Sequence, residues 1–505
     1  MTRSASRTAR FLRALGVSLL VWVAQACSDS GPPPRPSILL VTTDDQSWLH
    51  TGSHGGPVRT PALDRLAAEG VRFTHAFAAF PSCTSSRNAI LTGQAIWRLG
   101  HGSTLFGSLP VALPIFTEEL ARTGYRVGFT GKAWGPGRWD AEGRDRHPVG
   151  QPFQDEQLVG GSRHIAKVDY AANFGVFLRD AGEDPFFFWV GIREPHRAFA
   201  QGSGARAGLR PEAARVPGFL PDRPEVREDL VDYLAEIEHA DRQLEALLAH
   251  LDAAGRRDDT VVVFTSDNGM AFPRAKANLY DAGTRVPLVV AGPGFPGGRV
   301  VDDLVSLTDL APTFLELTGG SAFREVTGRS LVPLLVATAQ GRIDPTRDAI
   351  FLGAERHTLC REGDGGYPAR AIRTHRHAYI RNYEADRWPA GDPDFHGVRF
   401  GDTDQGPTKQ LMLEARSEPD VATLFELAFG KRPPEELYDL ESDPDQLRNL
   451  IGDPAAAAVH AELAERLGAH LAATGDPRVR GDALGDDAPY HWRHPKDRRA
   501  GARPR

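Results

Sequence analysis

Pro81-Ser82-Cys83-Thr84-Ser85-Ser86-Arg87 sets one cysteine among hydroxyl residues and an arginine, and Asn88-Ala89-Ile90-Leu91-Thr92-Gly93-Gln94 continues as an apolar helical run. The free N–H groups and positive dipole end of a helix start, with a guanidinium nearby, suit an oxyanion. The same small polar residues also open ordinary helices as N-caps. Other chemistry-bearing residues stand at intervals along the chain: Asp44-Asp45, Lys132, His196, Asp267-Asn268 and Lys276. Three carboxylates and an amide oxygen, without imidazole or thiolate, suit Ca²⁺ or Mg²⁺ better than zinc. Lys132, Lys276 and Arg87 are candidates to neutralise a tetrahedral anion. His196 is a candidate general acid, since an unperturbed imidazole titrates near neutrality. Taken singly, each has an ordinary explanation: the acidic pairs as turn caps, the cations as solvated surface charges, the histidine as a loop residue.

The elements that would position these residues follow a repeated β-then-α order. Pro36–Thr43 is a continuous apolar run, the pattern of a strand buried on both faces, and it ends in Asp44-Asp45. Thr60–Gly70 reads as a short helix with Thr60 as N-cap, Pro61 in the first turn and Gly70 as stop. Val71–Ala78 is a second strand leading to the Cys83 segment, Ile115–Thr123 a helix, and Tyr125–Thr130 a strand running into Gly131-Lys132. Residues 135–165 read as a long surface loop. Pro185–Ile192 is a buried strand delivering His196, and residues 224–254 form the longest helix, with Leu230, Leu234, Ile237, Leu244, Leu247 and Leu251 at helical spacing. Thr260–Thr265 is a strand delivering Asp267-Asn268, Val286–Val290 one more strand and Leu307–Leu317 one more helix. This order predicts an α/β fold with a doubly wound, mainly parallel sheet, in which ligands bind beyond the carboxyl ends of the strands. From about residue 350 the pattern changes. Ala371–Asn382 alternates like one strand of a smaller antiparallel sheet, and Ala455–Ala472 reads as a closing helix.

The totals bound the partners. A chain of 505 residues with 41% hydrophobic and 25% charged residues buries a large core, and its net charge of -7 gives no basic field for nucleic acid. Arg3, Arg7, Arg10 and Arg13, the apolar run Ala14–Ala24 and the small-x-small site Ala24-Gln25-Ala26 read as an export signal over residues 1–26, too short to span a membrane comfortably. Cys27 directly after it, ahead of a Pro-rich linker at 27–35, also fits a lipid-anchored leader. Only Cys83 and Cys360 remain beyond the leader, which excludes a disulfide framework.

Cys83-Thr84-Ser85-Ser86-Arg87 with Leu91-Thr92-Gly93 resembles the motif of the type I sulfatases, whose cysteine is oxidised to formylglycine. Asp44-Asp45, Gly131-Lys132, Pro195-His196 and Thr265-Ser266-Asp267-Asn268-Gly269 fall in that family's order, up to Glu436-Leu437-Tyr438-Asp439-Leu440. Glu194-Pro195-His196-Arg197 and Phe272-Pro273 through Asn278-Leu279-Tyr280 look most like its sulfamidase branch, the N-sulfoglucosamine sulfohydrolases. The resemblance implies an alkaline-phosphatase-like fold, and the change of pattern near residue 350 and the polar end divide the chain into a catalytic domain over 36–350, a smaller α+β subdomain over 351–480 and a tail over 481–505. It also implies roles. Cys83 becomes the formylglycine nucleophile; Asp44, Asp45, Asp267 and Asn268 hold one Ca²⁺ that also contacts the modified Cys83. Arg87 orients the formylglycine, Lys132 and Lys276 bind sulfate oxygens, and His196 protonates the leaving group. The implied partners are a sulfated saccharide, N-sulfoglucosamine first and an O-sulfated polysaccharide otherwise, and a formylglycine-generating enzyme. A phospho- or phosphonate-ester hydrolase of the same superfamily and a sugar-binding pseudoenzyme are the rival readings.

Two positions depart from the family. Ser85 stands where proline is usual, and the run Gly131-Lys132-Ala133-Trp134-Gly135 lacks the histidine that often follows the Gly-Lys pair, leaving His101 as one candidate for that role. His357, Arg370, Arg373, Arg381 and Arg387 are candidates to recognise substrate carboxylates or sulfates.

Overall fold

The computed structural model describes residues 35–159 and 164–482. The proposed leader, its cleavage site, Cys27 and nearly all of the tail lie outside the described residues. No helix among the described residues is long and apolar enough to cross a membrane.

Eight strands form the large sheet: β1 (Ser37–Thr43), β2 (Val71–Phe77), β3 (Arg126–Gly131), β4 (Gln151–Pro152), β5 (Phe186–Gly191), β6 (Thr260–Ser266), β7 (Arg285–Ala291) and β8 (Arg299–Ser306). Their spatial order is β4-β3-β5-β1-β6-β7-β2-β8. β4, β3, β5, β1 and β6 run parallel, as do β2 and β8. β7 is antiparallel to both of its neighbours. The sheet is thus mixed but mostly parallel. β4 lies within the stretch read as a loop; its two residues add a short edge to β3.

Side-chain alternation divides the core between the two faces of this sheet. Ile38, Leu40, Phe187, Trp189, Val261 and Val263 pack with Ile90 and Leu91 of the Cys83–Thr92 helix and with the Leu310–Leu317 helix. Leu39, Val41, Phe186, Phe188, Val262 and Phe264 face the opposite layer, built from the Pro61–Glu69, Tyr170–Ala181 and Pro224–Ala253 helices. Thr60 does precede the first of these, but its hydroxyl makes no cap bond to the helix. The Asp241 carboxylate instead accepts from the Ala62 and Leu63 N–H groups at 3.1 and 2.9 Å.

A second sheet follows: β9 (Ala349–Ala354), β10 (Ala369–Thr374), β11 (His377–Asn382) and β12 (Glu435–Asp439), antiparallel in the order β12-β11-β10-β9. The stretch read as one strand over 371–382 is therefore a hairpin that turns at His375-Arg376. One face packs under Leu463, Leu467 and Leu471 of the Ala457–Ala473 helix. The other contributes Leu352, Ala371 and Ile380 to a core shared with Phe80 and Ala89, beside and within the Cys83 helix. That helix is consequently wedged between the two sheets, and all ten of its residues are buried.

Candidate active site

The four strands β3, β5, β1 and β6 lie side by side and point the same way, so their carboxyl ends meet at one edge. Backbone bonds lock these ends together: Lys132 N donates to Gly191 O at 2.7 Å, Ile192 N to Thr42 O at 2.8 Å and Asp267 N to Thr43 O at 3.1 Å. The approach is so close that a Cβ at Gly191 would lie 2.1 Å from the Lys132 carbonyl, and Gly131 takes φ +69°. Only glycine fits such contacts.

At this edge the acidic residues converge. Carboxylate oxygens of Asp44, Asp45 and Asp267 all lie within 4.8 Å of one another, and each residue is fully buried. Asp45 holds φ 73°, a left-handed backbone that costs energy in a non-glycine residue and marks a conformation imposed by its surroundings. Its N–H donates to Asp267 Oδ1 at 3.2 Å and its Oδ1 accepts from Asn268 Nδ2 at 2.6 Å. Asn268 Oδ1 is buried without a hydrogen-bond partner. An unpaired buried oxygen beside three carboxylates is the donor chemistry of a hard divalent cation, and these residues fit Ca²⁺.

Cations surround the acids. Arg87, wholly buried, places Nε at 3.0 Å and Nη2 at 2.8 Å from Asp267 Oδ2, and donates through Nη1 to the Lys132 carbonyl. Lys132 Nζ donates to Asp44 Oδ2 at 2.5 Å, and Lys276 Nζ to Asp45 Oδ2 at 2.8 Å and Asp404 Oδ2 at 3.1 Å. Burial alone would raise the Asp44 pKa, but Lys132, then His196 and Arg87, hold it well below the usual carboxylate range. For Asp45 and Asp267 burial wins: with Asp44 beside them both are pushed up to about 6, against Lys276 in the first case and Arg87 in the second.

Cys83 opens its helix, as its spacing predicts, with Ser82 in an extended N-cap conformation. Its Sγ lies 3.4 Å from Asp44 Oδ1. Burial, then the Asp44 carboxylate, push the thiol far up. An unmodified Cys83 is therefore a protonated thiol and a poor nucleophile. His196 Nδ1 donates to the Arg197 carbonyl at 2.6 Å, which leaves Nε2 as the acceptor, 3.9 Å from Asp45 Oδ2. Burial, then Lys276, lower its pKa to about 4. All nine residues singled out in the sequence thus share one site.

Across residues 36–321 the sequence matches the family described as Sulfatase. The chain belongs to the sulfatase family. A second match, described as N-sulphoglucosamine sulphohydrolase, C-terminal, covers residues 274–392 of this sulfatase. N-sulphoglucosamine sulphohydrolase of Homo sapiens is 29% identical over 491 residues, covering 88% of this chain and 91% of that protein. An ulvan-active sulfatase of Formosa agariphila is 27% identical over 458 residues, covering 88% and 81%. A solved structure in complex with its substrate, D-glucosamine-2-N,6-O-disulfate, shares the fold with a TM-score of 0.63 at 18% identity, over 90% of this chain and all of the other. The protein is an enzyme, a sulfuric-ester or sulfamate hydrolase.

Around the sulfatase centre, other assignments change. His101 hydrogen-bonds Glu142 at 2.9 Å. Trp134, in the run that lacks a histidine, donates to Asn88 Oδ1 at 2.7 Å and so braces the Cys83 helix. Arg370 is no recognition residue: it is completely buried and paired with Glu355 and Asp476, each at 2.6 Å. Arg373 likewise closes on Asp281 at 2.8 Å. One residue of the site carried no sequence signal: Asp404, which meets Lys276 as described above. His357, a candidate for substrate recognition, is buried with Nδ1 2.9 Å from the hydroxyl of Ser82, next to Cys83.

Proposed function

We propose that this sulfatase removes the sulfate of N-sulfoglucosamine through a formylglycine made from Cys83, with one Ca²⁺ held by Asp44, Asp45, Asp267 and Asn268. The observation that carries the reading is the meeting of Cys83, three carboxylates and two lysines at the ends of four adjacent parallel strands. The sulfamate preference draws its support from the match over residues 274–392 and from the human relative.

The hydrated aldehyde supplies an oxygen nucleophile for sulfur, and the bound cation supplies Lewis-acid polarisation of the sulfate. The chain's own residues do the rest. Arg87 fixes the start of the Cys83 helix against Asp267. Lys132 and Lys276, each already charged, face the oxygens of the group transferred, where preorganised charge lowers the barrier most. Burial disfavours the Lys132 charge, but Asp44 more than restores it. His196 is neutral in the free enzyme; the negative charge of a bound sulfate raises its basicity so that Nε2 takes up a proton from solvent and gives it to the leaving amine or alcohol. A formylglycine-generating enzyme matures Cys83, and the chain is exported, either released or lipid-anchored at Cys27.

Mass spectrometry of the Cys83 peptide, from protein coexpressed with a formylglycine-generating enzyme, tests the nucleophile: the expected product is the aldehyde, and thiol throughout refutes it. Desulfation of N-sulfated against O-sulfated glucosamine then tests the substrate, with turnover of the N-sulfated sugar expected. The ulvan-active relative favours a second reading, an O-sulfatase on a polysaccharide, and turnover of O-sulfated sugars alone establishes that one instead.

A further inference from the structure

Asp404 is a carboxylate in the mouth of a site built to receive a sulfate. Its side chain is 30% exposed, whereas that of Lys276, its partner at 3.1 Å, is 4% exposed. Asp404 is thus the outer member of the pair, and its carboxylate lies near His196, which like Lys132 is partly exposed.

The loop that carries it is fixed from three directions. Asp402 accepts from the Thr358 N–H and hydroxyl at 2.7 Å each, and pairs with Arg361 at 2.8 Å. Lys409 Nζ donates to the carbonyls of Phe400 and Thr403 at 2.9 and 2.7 Å. Beyond Asp404, the Thr408 hydroxyl donates to Asp229 at 2.6 Å, and Asp229 in turn pairs with Arg197, the neighbour of His196. A side chain on so constrained a loop is preorganised for its task. Burial disfavours the charged Asp404 carboxylate, but Lys276, then His196 and His357, overcome this and hold its pKa below the usual carboxylate range, so it stays charged.

The geometry points to Asp404 as a specificity-determining residue: its carboxylate accepts a hydrogen bond from a free hydroxyl or amine of the sugar and repels a second anionic substituent beside the sulfate being removed. This inference rests on the sulfated-sugar reading above. A fixed negative charge does little to attract a polyanion, and its value lies in what it rejects, since selectivity is a difference of affinities that repulsion can supply. It selects a sugar whose neighbouring positions are unsulfated.

The experiment compares kcat/KM of the full chain, matured and supplied with calcium, on glucosamine carrying the N-sulfate alone and on glucosamine with a further sulfate at O3 or O6. Wild type is expected to favour the monosulfated sugar over at least one disulfated sugar. Asp404→Asn, which keeps the shape and removes the charge, is expected to narrow that preference roughly tenfold, mainly through KM of the disulfated sugar. A uniform loss on every sugar would mean that Asp404 is only a counter-ion for Lys276, and overturns the proposal. Asp404→Ser provides a second neutral variant if the first is poorly folded. Should wild type turn over none of these sugars, the sulfamidase reading has failed instead. Selectivity is then read by titrating the mono- and disulfated sugars into Cys83→Ala protein with and without Asp404→Asn; an unchanged affinity ratio, or no binding, overturns the inference.

Discussion

Two clusters of buried charge lie in this molecule, and they are built on opposite rules. In the second sheet Arg370 spends every donor: Nε and Nη2 go to Asp476, Nη2 also to Glu355, and Nη1 to the carbonyls of Ala354 and Ala369. Arg478 completes the set on Glu355. Two cations meet two carboxylates and nothing is left over. At the strand ends of the large sheet, three carboxylates face one another, two of them with pKa values pushed up to about 6, and Asn268 Oδ1 has no partner. A closed cluster holds a fold together. A cluster with acceptors in excess, held rigid by its strands, holds something else.

The sharpest break of this comparison is Asn268→Ala. It removes the unpaired oxygen together with the Nδ2 bonds to Asp45 and the Gly269 carbonyl. Steady-state turnover of a sulfated sugar is expected to fall by at least about 100-fold, in line with the loss of one preorganised charge-stabilising group. Without added calcium, melting should stay close to wild type. Arg370→Met inverts the pattern: Asp476 loses its counter-charge and Glu355 keeps only Arg478, at a cost of about 3–5 kcal/mol in denaturant unfolding. The kcat of the protein that remains folded is expected to be unchanged. If either variant behaves like the other, the division between the clusters is wrong.

Much of this was legible in the sequence because apolar runs buried on both faces end abruptly in polar pairs. Ile38–Val41 before Asp44-Asp45 and Val261–Phe264 before Asp267-Asn268 are read without ambiguity, and parallel strands place such ends together. The direction of β7 was not legible, since Arg285–Ala291 has the same apolar pattern read either way. The β10–β11 hairpin merged into one strand because its turn, His375-Arg376, contains neither glycine nor proline to mark it. Arg370 drew attention as a candidate for substrate recognition because nothing local hints at its burial; Asp476 lies 106 residues away. Asp404 sits in an aperiodic loop that reaches the site through tertiary contacts, among them Asp402–Arg361, Asp402–Thr358 and Lys409–Thr403, which leave no sequence signature.

A smaller effect sharpens the first cluster further. Ligand binding to the native state alone stabilises it by about 2.7 kcal/mol at a hundredfold excess over Kd. Melting temperature followed through a CaCl₂ titration is expected to rise in wild type and in Arg370→Met, and to stay flat in Asn268→Ala over the same range. A rise of equal size in all three would assign the calcium to some other part of the surface.

Between the two rules lies a third case, a buried acid that has neither counter-ion nor hydrogen bond. Both carboxyl oxygens of Glu236 are buried without a partner. Its surroundings are Glu194 and Asp232, which disfavour its charge, and Arg193 and Arg197, which favour it only in part. Burial first, then Glu194, push its pKa from 4.5 up to about 9. Below pH 4.5 the folded and unfolded chains both hold this proton; above it the unfolded chain releases the proton and the folded chain keeps it. The unfolded state thus binds fewer protons, and stability from this group falls as pH rises until Glu236 itself ionises near 9. Glu236→Gln removes that dependence, so its stability relative to wild type should grow between pH 5 and 8, by about 1–2 kcal/mol once relaxation around the charge is allowed for. Urea unfolding of the pair at several pH values measures it. A difference that shrinks with rising pH would mean that Glu236 is charged in the native state and that a cation compensates it, which would place it with the closed cluster around Arg370.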